Sequence, residues 1–425
     1  MRIIADLHLH SKYSRAVSPQ MTLPTIAEWA VKKGIDLVGT GDFTHPMWFR
    51  ELREGLKEAG NGIYQVENTK FLLTTEVSCI YSDKGKGRRV HLLIIFPKLS
   101  DVEKFNQDLT ANGANLFSDG RPIMGLSLKR VAQIALNVNP RVILIPAHAW
   151  TPWFGIYGAN SGYDSLDEAF EDLAKYISAV ETGLSSNPAM NWRMEELANR
   201  QIVSFSDAHS PQKIGREATV FEVENLSFEE IRKLKVASTI EFYPEEGKYH
   251  FTGHRKCNVI YSPNEAREKG TICPVCGRSL TPGVMSRVES LGKNEIQTET
   301  EKDKFGVRWI FPKGRKRPGY VMIVPLLEIL AEAYGVGVGS QKVINGYQLI
   351  INNFQNEFRI LLETPVEKIQ KVAGEKVAEA IAKVRSGDIA IEPGYDGVFG
   401  KVKVWSHFAE ASRGKPVTSQ ASLFW

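Results

Sequence analysis

Apolar and polar positions repeat with two different periods along the first half of this chain, and each change of period marks an element. MRIIADLHLH alternates with period two and predicts a strand that ends in polar residues. TLPTIAEWAVKKG spaces its apolar residues three and four apart and predicts a helix from near Thr22 to Gly34. IDLVGTGD predicts the next strand, and KFLLTTEVSCIYS and RRVHLLIIFP two more around a Lys/Gly-rich turn. SLKRVAQIALNVN reads as a helix and RVILIPAHAW as a fully apolar strand. ISAVETG, NPAMNWRMEELANRQ and IVSFSDAH follow as strand, helix and strand. This β-α-β-α order predicts an α/β fold with a mostly parallel sheet. Polar residues repeatedly follow the apolar part of a strand, which favours a barrel with its chemistry at the C-terminal strand ends.

From about Leu226 the pattern changes. SFEEIRKLK is a short amphipathic helix, and residues 250–283 combine Cys, Gly and Pro without a period. Residues 284–320 are mixed, Tyr320 to Arg385 is helical in pattern, and EPGYDGVFGKVKVW is Gly-rich and then strand-like. RGKPVTSQASLFW closes the chain as a polar tail with an aromatic end. The expected division is a barrel over 1–236, a metal-binding module over 237–290, a mainly helical region over 291–412 and a tail over 413–425.

Composition narrows the class. The 425 residues are 43% hydrophobic and 24% charged, ordinary values for a soluble globular protein. A chain of this length buries a core without a disulfide framework. It has no apolar run near the ~18–20 residues of a membrane helix, and its start has no signal-like apolar stretch, so a cytoplasmic location is expected. Residues 1–236 carry 27 basic and 28 acidic side chains, and the remainder 26 and 21. The mildly basic second half suits a polyanionic partner or a solvated surface.

The chemistry gathers at the predicted strand ends. Asp6, His8 and His10 alternate, so in a strand they share one face. H-x-H alone is weak evidence for a metal. Here it is followed by Asp42 and His45, Glu76, His91, His148, Glu181, and Asp207 with His209. A barrel would bring these together with more nitrogen and oxygen donors than one ion needs, which points to two or three metals. After His148 the loop AWTPWFGIYGANSGY carries Trp150, Trp153, Phe154 and Tyr157 between mobile glycines. It is either an apolar plug or a surface on which a nucleobase stacks. Cys79 reads as a buried structural thiol.

Three of the four cysteines lie within twenty residues. His254-x2-Cys257 and Cys273-x2-Cys276, with fifteen residues between them, match a structural tetrahedral zinc, although His250 lies close to His254. Further on, Val366, Ile369, Val372, Val377, Ala380 and Ile381 form an apolar stripe broken at Ala373-Gly374. That is either a plain antiparallel helix pair or a weak helix-hairpin-helix whose turn faces a phosphate. The cluster Lys313, Arg315, Lys316, Arg317 is either a phosphate contact or a solvated loop.

DLHLH, Glu76, His91, Pro146-Ala147-His148 and Asp207-Ala208-His209, in this order, resemble the polymerase-and-histidinol-phosphatase (PHP) domain over roughly residues 1–236. The resemblance implies a distorted (β/α)7 PHP barrel that hydrolyses phosphoesters with clustered metals. It implies His8, His10, Glu76, His91, His148, Asp207 and His209 as ligands, with Glu76, Asp207 and His209 at the catalytic heart. Many members carry T-D-H after strand two. Here Gly41-Asp42-Phe43 keeps the aspartate as a ligand, and His45 stands in for the missing imidazole. Zinc would fill the Cys/His site and part of the cluster, with magnesium or manganese for activity.

Over nearly the whole length, the barrel, then HxxC…CPVC with LTPGV, then VPLLEIL and EPGYDGVFG, resemble a family of PHP-domain DNA repair endonucleases of archaea and some bacteria. That resemblance implies cutting on the 5′ side of a deaminated base (hypoxanthine, uracil, xanthine) or an abasic site, leaving 3′-hydroxyl and 5′-phosphate ends. Trp150, Trp153, Phe154, Arg315, Lys316 and Arg317 are the candidate base and DNA contacts. Gln420, Leu423, Phe424 and Trp425 resemble the peptide that docks repair enzymes on sliding clamps. Damaged DNA and a clamp are the expected partners of a monomer associated with the nucleoid. A small-molecule phosphatase with accessory domains is the alternative, and an inactive DNA-tethering scaffold a third reading.

Overall fold

A computed structural model describes residues 1–293 and 295–405, so Gln420, Leu423, Phe424 and Trp425 lie outside the described residues. Seven strands form the barrel wall. Arg2–Asp6 pairs in parallel with Leu37–Gly39, and that strand in parallel with Thr69–Asp83. Lys86–Phe96 folds back antiparallel on Thr69–Asp83, and Ile143–Pro146 runs antiparallel to it in turn. Ala179–Glu181 and Gln201–Val203 pair in parallel, and the Ala149 N–H donates to the Glu181 carbonyl at 2.9 Å. A bridge between Leu9 and Ala208 closes the ring.

The sheet is thus mixed where the β-α-β order predicts a mostly parallel one. The cause is the turn between Asp83 and Lys86. Lys84 and Gly85 both have positive φ, 47° and 77°, which is the geometry of a two-residue hairpin. So short a connection can only return the chain antiparallel.

Helices cover the outside. Leu23–Lys33 buries Leu23, Ile26, Ala27 and Ala30, and Gly34 ends it in the left-handed region, donating to the Ala30 and Val31 carbonyls. Leu128–Val138 starts at Ser127, whose hydroxyl accepts from the Arg130 N–H. Where one long helix is expected over 187–201, the structure has Pro188–Trp192 and a short turn over Glu195–Leu197.

The barrel does not stop at residue 236. Ala218–Glu222 lies antiparallel between Arg2–Asp6 and Val236–Glu241. Val236–Glu241 then pairs in parallel with Gly319–Met322, which leads through Arg308–Pro312 to Thr298–Lys302. The sheet therefore crosses the expected domain boundary, and residues 298–322 add strands rather than helices. Arg317 fastens this extension by donating to the carbonyls of Leu197 and Arg200.

Five helices follow, from Leu326–Tyr334 to Glu375–Ser386. A buried ion pair helps to dock them on the barrel. The Lys33 ammonium lies 2.7 Å from Glu357, with side-chain exposures of 0% and 2%. Glu357 also accepts from the Leu326 N–H and the Tyr347 hydroxyl. No helix among the described residues is long and apolar enough to cross a membrane.

Lys33→Ala should destabilise the protein by about 3–5 kcal/mol in chemical denaturation, because it strands the Glu357 carboxylate. Glu241 is fully buried on the joining strand, where it accepts from the hydroxyls of Thr239 and Ser204. Burial pushes it up to about 8, against those hydroxyls and with the nearby Glu181 charge adding to the rise. A folded value above the unfolded one means that stability is lost as pH rises from about 4.5 to about 8. Glu241→Gln should therefore gain on the wild type between pH 5 and pH 9, by on the order of 2–4 kcal/mol in denaturation midpoints.

Candidate metal centre

Strand ends place the candidate ligands. His8 and His10 follow Arg2–Asp6 and are fully buried. Asp42, His148 and Asp207 each follow another barrel strand with left-handed backbone, at φ 48°, 31° and 46°. Such conformations cost non-glycine residues of order 1–3 kcal/mol and gather at functional sites. Glu76 and His91 come from the hairpin. Ser78 faces His91 across it, so Glu76, two residues earlier, lies diagonally on the same face.

These side chains form three donor sets, each with its atoms within 4.8 Å of one another. They are His8, His10 and Glu76; His10, Asp207 and His209; and Glu76, His91 and His148. Glu76 is the hub. Its Oε1 lies 2.7 Å from His91 Nδ1, 3.0 Å from His148 Nε2 and 3.5 Å from His8 Nε2.

The donors fit divalent cations. His8 Nε2 is buried without a hydrogen-bond partner, and His91 Nδ1 faces His148 Nε2 at 3.1 Å. Burial pushes His91 down to about 3 and His209 to about 4, so both imidazoles are neutral with a lone pair to give. Burial opposes ionisation of Glu76 and Asp207, yet His8 and His10, which the carboxylates around them hold well above the usual imidazole range against burial, keep both well below the usual carboxylate range, with Arg121 beside Glu76. Neutral rings at His91 and His209, ionised carboxylates, and the protons that a cation would displace from His8 and His10 suit zinc, iron or manganese.

Two carboxylates orient the rings from behind. Both oxygens of Glu181 lie 3.0 Å from His8 Nδ1, and Glu181 also accepts the His148 N–H at 2.8 Å. Asp42 Oδ1 lies 2.9 Å from His10 Nδ1. Its Oδ2 accepts from the Ser11 N–H at 2.6 Å and from the Ser11 and Ser14 hydroxyls. Asp42 is thus engaged through both oxygens, orients His10 and joins none of the three sets among the described residues, which corrects its expected role as a ligand. His45 corrects likewise. It joins none of the three sets among the described residues, and its ring stacks on Tyr13 at 4.5 Å. Glu181 ends its strand as the other candidates do, and that position was its signal in the sequence.

A cleft of about 620 Å³ opens over His91, His148, Asp207 and His209. Its far wall comes from Phe242 to His250, with Phe399. Trp153 lines it, edge-on to Tyr249 at 5.1 Å, and Phe154 lies against His91 at 4.5 Å. Trp150 does not face it. That residue is 1% exposed, packs on Tyr157 and donates to Asn191 Oδ1 at 2.8 Å, so it is core rather than a stacking surface.

The basic cluster is also redistributed. Arg317 is spent on backbone carbonyls, and Arg315 pairs with Glu299 and Glu301. Neither of these, nor Lys316, lines the cleft. Arg121 does, donating to Glu76 Oε2 at 3.1 Å, and only a polar SDGRP loop hinted at it.

His254, Cys257, Cys273 and Cys276 converge separately, with donors within 4.8 Å. The backbone explains the fit. Thr252–His254 and Val259–Tyr261 form one hairpin, and the Gly277 N–H donates to the Cys273 carbonyl to close the second turn. Burial acts to raise Cys273, but the N–H groups of Cys276 and Val275 bring it down to about 6. His250 stays out of this set and lines the cleft.

A family model described as the MJ0043 C-terminal domain matches residues 325–388. The chain is 30% identical to the protein YqxK of Bacillus subtilis (strain 168), over 95% of this chain and 99% of that one. Its fold matches the crystal structure of the lesion-specific endonuclease PfuEndoQ from Pyrococcus furiosus, with a TM-score of 0.81 and 36% identity over 97% of this chain and 98% of that one. It matches equally endonuclease Q in complex with a 27-mer duplex substrate carrying an abasic lesion at the active site, with a TM-score of 0.80 and 36% identity over the same shares.

Glu181→Ala should lower the affinity of the barrel for its metals about 10–100-fold, because His8 loses the partner that fixes its ring. Metal content after dialysis against graded chelator checks this, and an unchanged content would remove the orienting role.

Proposed function

The chain belongs to the endonuclease Q family, and from that premise we propose that it cuts DNA beside a damaged nucleotide. The substrates are a deaminated base (hypoxanthine, uracil, xanthine) or an abasic site, and the bond cut is the phosphodiester on the 5′ side. The observation that carries this reading is the cleft, whose lining joins the metal donors His91, His148, Asp207 and His209 to the rings of Trp153, Phe154 and Tyr249.

Divalent cations held by the three sets would supply Lewis acidity, lowering the pKa of water and neutralising phosphoryl oxygens. The rest falls to the chain's own residues. Glu181 and Asp42 keep the imidazoles of His8 and His10 aimed at the centre. Asp207 and His209 are its more open members, with side-chain exposures of 11% and 22%, and are placed to move a proton at the substrate. Departure of the 3′-oxygen leaves 3′-hydroxyl and 5′-phosphate ends, with no base-removal step. Trp153 and Phe154 offer rings to an unstacked base, whose extrusion costs least where pairing is already weak.

Zinc suits the Cys/His site, whose four donors leave no position open for chemistry. Zinc with added magnesium or manganese suits the barrel. The tail's Gln420, Leu423, Phe424 and Trp425 suit a sliding clamp. A monomer working on chromosomal DNA in the cytoplasm completes the proposal.

The test is an end-labelled duplex with a single deoxyinosine or deoxyuridine beside an undamaged control. Wild type should cut immediately 5′ of the lesion, and both Asp207→Ala and chelator treatment should abolish the cut. Phosphate release from small monoesters without nicking would replace this reading with a phosphatase.

A further inference from the structure

Arg121 is the arginine that meets the hub of the metal centre, and its contact with Glu76 uses only part of its guanidinium. It lines the cleft beside His148, Asp207 and His209. Its side chain is 17% exposed, and Nη1 donates to Glu76 Oε2 at 3.1 Å. A guanidinium carries five N–H donors in a rigid fork, so one carboxylate contact leaves most of it for something else.

We propose that Arg121 is a catalytic residue whose guanidinium donates to a non-bridging oxygen of the phosphate being cut. The proposal rests on the endonuclease reading and adds a residue to it.

The loop that carries Arg121 is held in place from several sides. The Gly120 N–H donates to the Tyr13 carbonyl at 3.0 Å, and its own carbonyl accepts from the Thr44 hydroxyl at 3.3 Å. The Arg121 N–H donates to the Asp119 carboxylate at 3.1 Å. A side chain at Gly120 would collide with the Ser14 hydroxyl and the Asp42 carboxylate. The loop therefore rests on the same aspartate that aims His10, so guanidinium and ligands share one frame.

Among the other cations of the cleft, Lys213 and Arg216 are committed elsewhere and Lys248 lies over the Phe399 ring at 4.5 Å. Lys213 pairs with Glu328 at 2.7 Å. Arg216 turns to the Ser206 and Asp207 carbonyls at 2.8 and 3.4 Å. Arg15 is an exposed residue of the lining.

A phosphodiester is anionic, and as it is hydrolysed charge moves onto its non-bridging and leaving oxygens. A fixed guanidinium at a partly dry site stabilises that charge without reorganising. Arginine matches phosphate oxygens in two-pronged geometry where lysine acts as a point charge.

The competing role is purely structural, with Arg121 only neutralising Glu76. The two roles separate on substrate chemistry. Full-length, metal-loaded wild type, R121Q and R121K would be compared in single-turnover nicking of a deoxyuridine duplex. The scissile linkage would be native, or a phosphorothioate of either configuration. R121Q should slow native cutting about 10²–10³-fold, with unchanged metal content and duplex affinity within a few-fold, and R121K should recover part. On the diastereomer whose sulfur replaces the contacted oxygen, the ratio of wild type to R121Q should collapse. An undiminished ratio on both diastereomers, a loss that tracks lost metal, or no loss at all would overturn the assignment. Wild type that fails to nick the lesion duplex would overturn the endonuclease reading and this one with it.

Discussion

Burying carboxylates among imidazoles is the constraint on which this structure depends. Glu76 is 1% exposed and lies within 3.5 Å of four imidazoles and an arginine. An uncompensated charge at such a depth costs several kcal/mol. The fold meets that cost by bringing positive or metal-ready partners to one place from the ends of three strands, from the middle of Lys86–Phe96 and from the loop of Arg121. Glu181 and Asp42, one step behind, restrict the rings so that their free nitrogens point inward. Left-handed backbone at Asp42, His148 and Asp207 is the local strain this convergence requires.

The reversed strand is part of the same solution. A hairpin turn at Lys84-Gly85 sets Ser78 opposite His91 and so puts Glu76 and His91 on one face. A slip of one residue would turn His91 away from the centre. The strand Val236–Glu241 then couples the barrel to the chain that follows it. The far wall of the cleft is therefore built on the same sheet as its metal floor, and the Lys33–Glu357 pair holds the helices against it.

Much of the centre was legible in the chain. Predicted strands that end in or carry His, Asp or Glu brought out His8, His10, Glu76, His91, His148, Asp207 and His209 beside Asp42, His45 and Glu181, and the first seven fall in the three donor sets. The Cys/His spacing likewise brought four donors together. The misreadings share one cause, because residue type and position along a strand do not say what a side chain meets. Asp42 looks like a ligand until Ser11 and Ser14 occupy its second oxygen. Trp150 looks like a stacking ring until Asn191 takes its N–H. Arg317 looks free until carbonyls across 117 and 120 residues of chain take its donors.

By itself the sequence determined the elements, the donor residues and the zinc-type spacing, because these depend on local periodicity and on ligand chemistry. Tertiary structure alone decided the passage of the sheet through residue 236 and the division between ligands and the carboxylates that orient them. It alone put Arg121 against Glu76, 45 residues away. Each of those outcomes is a contact between distant segments, and a contact of that kind is set by register and packing, which no local pattern encodes.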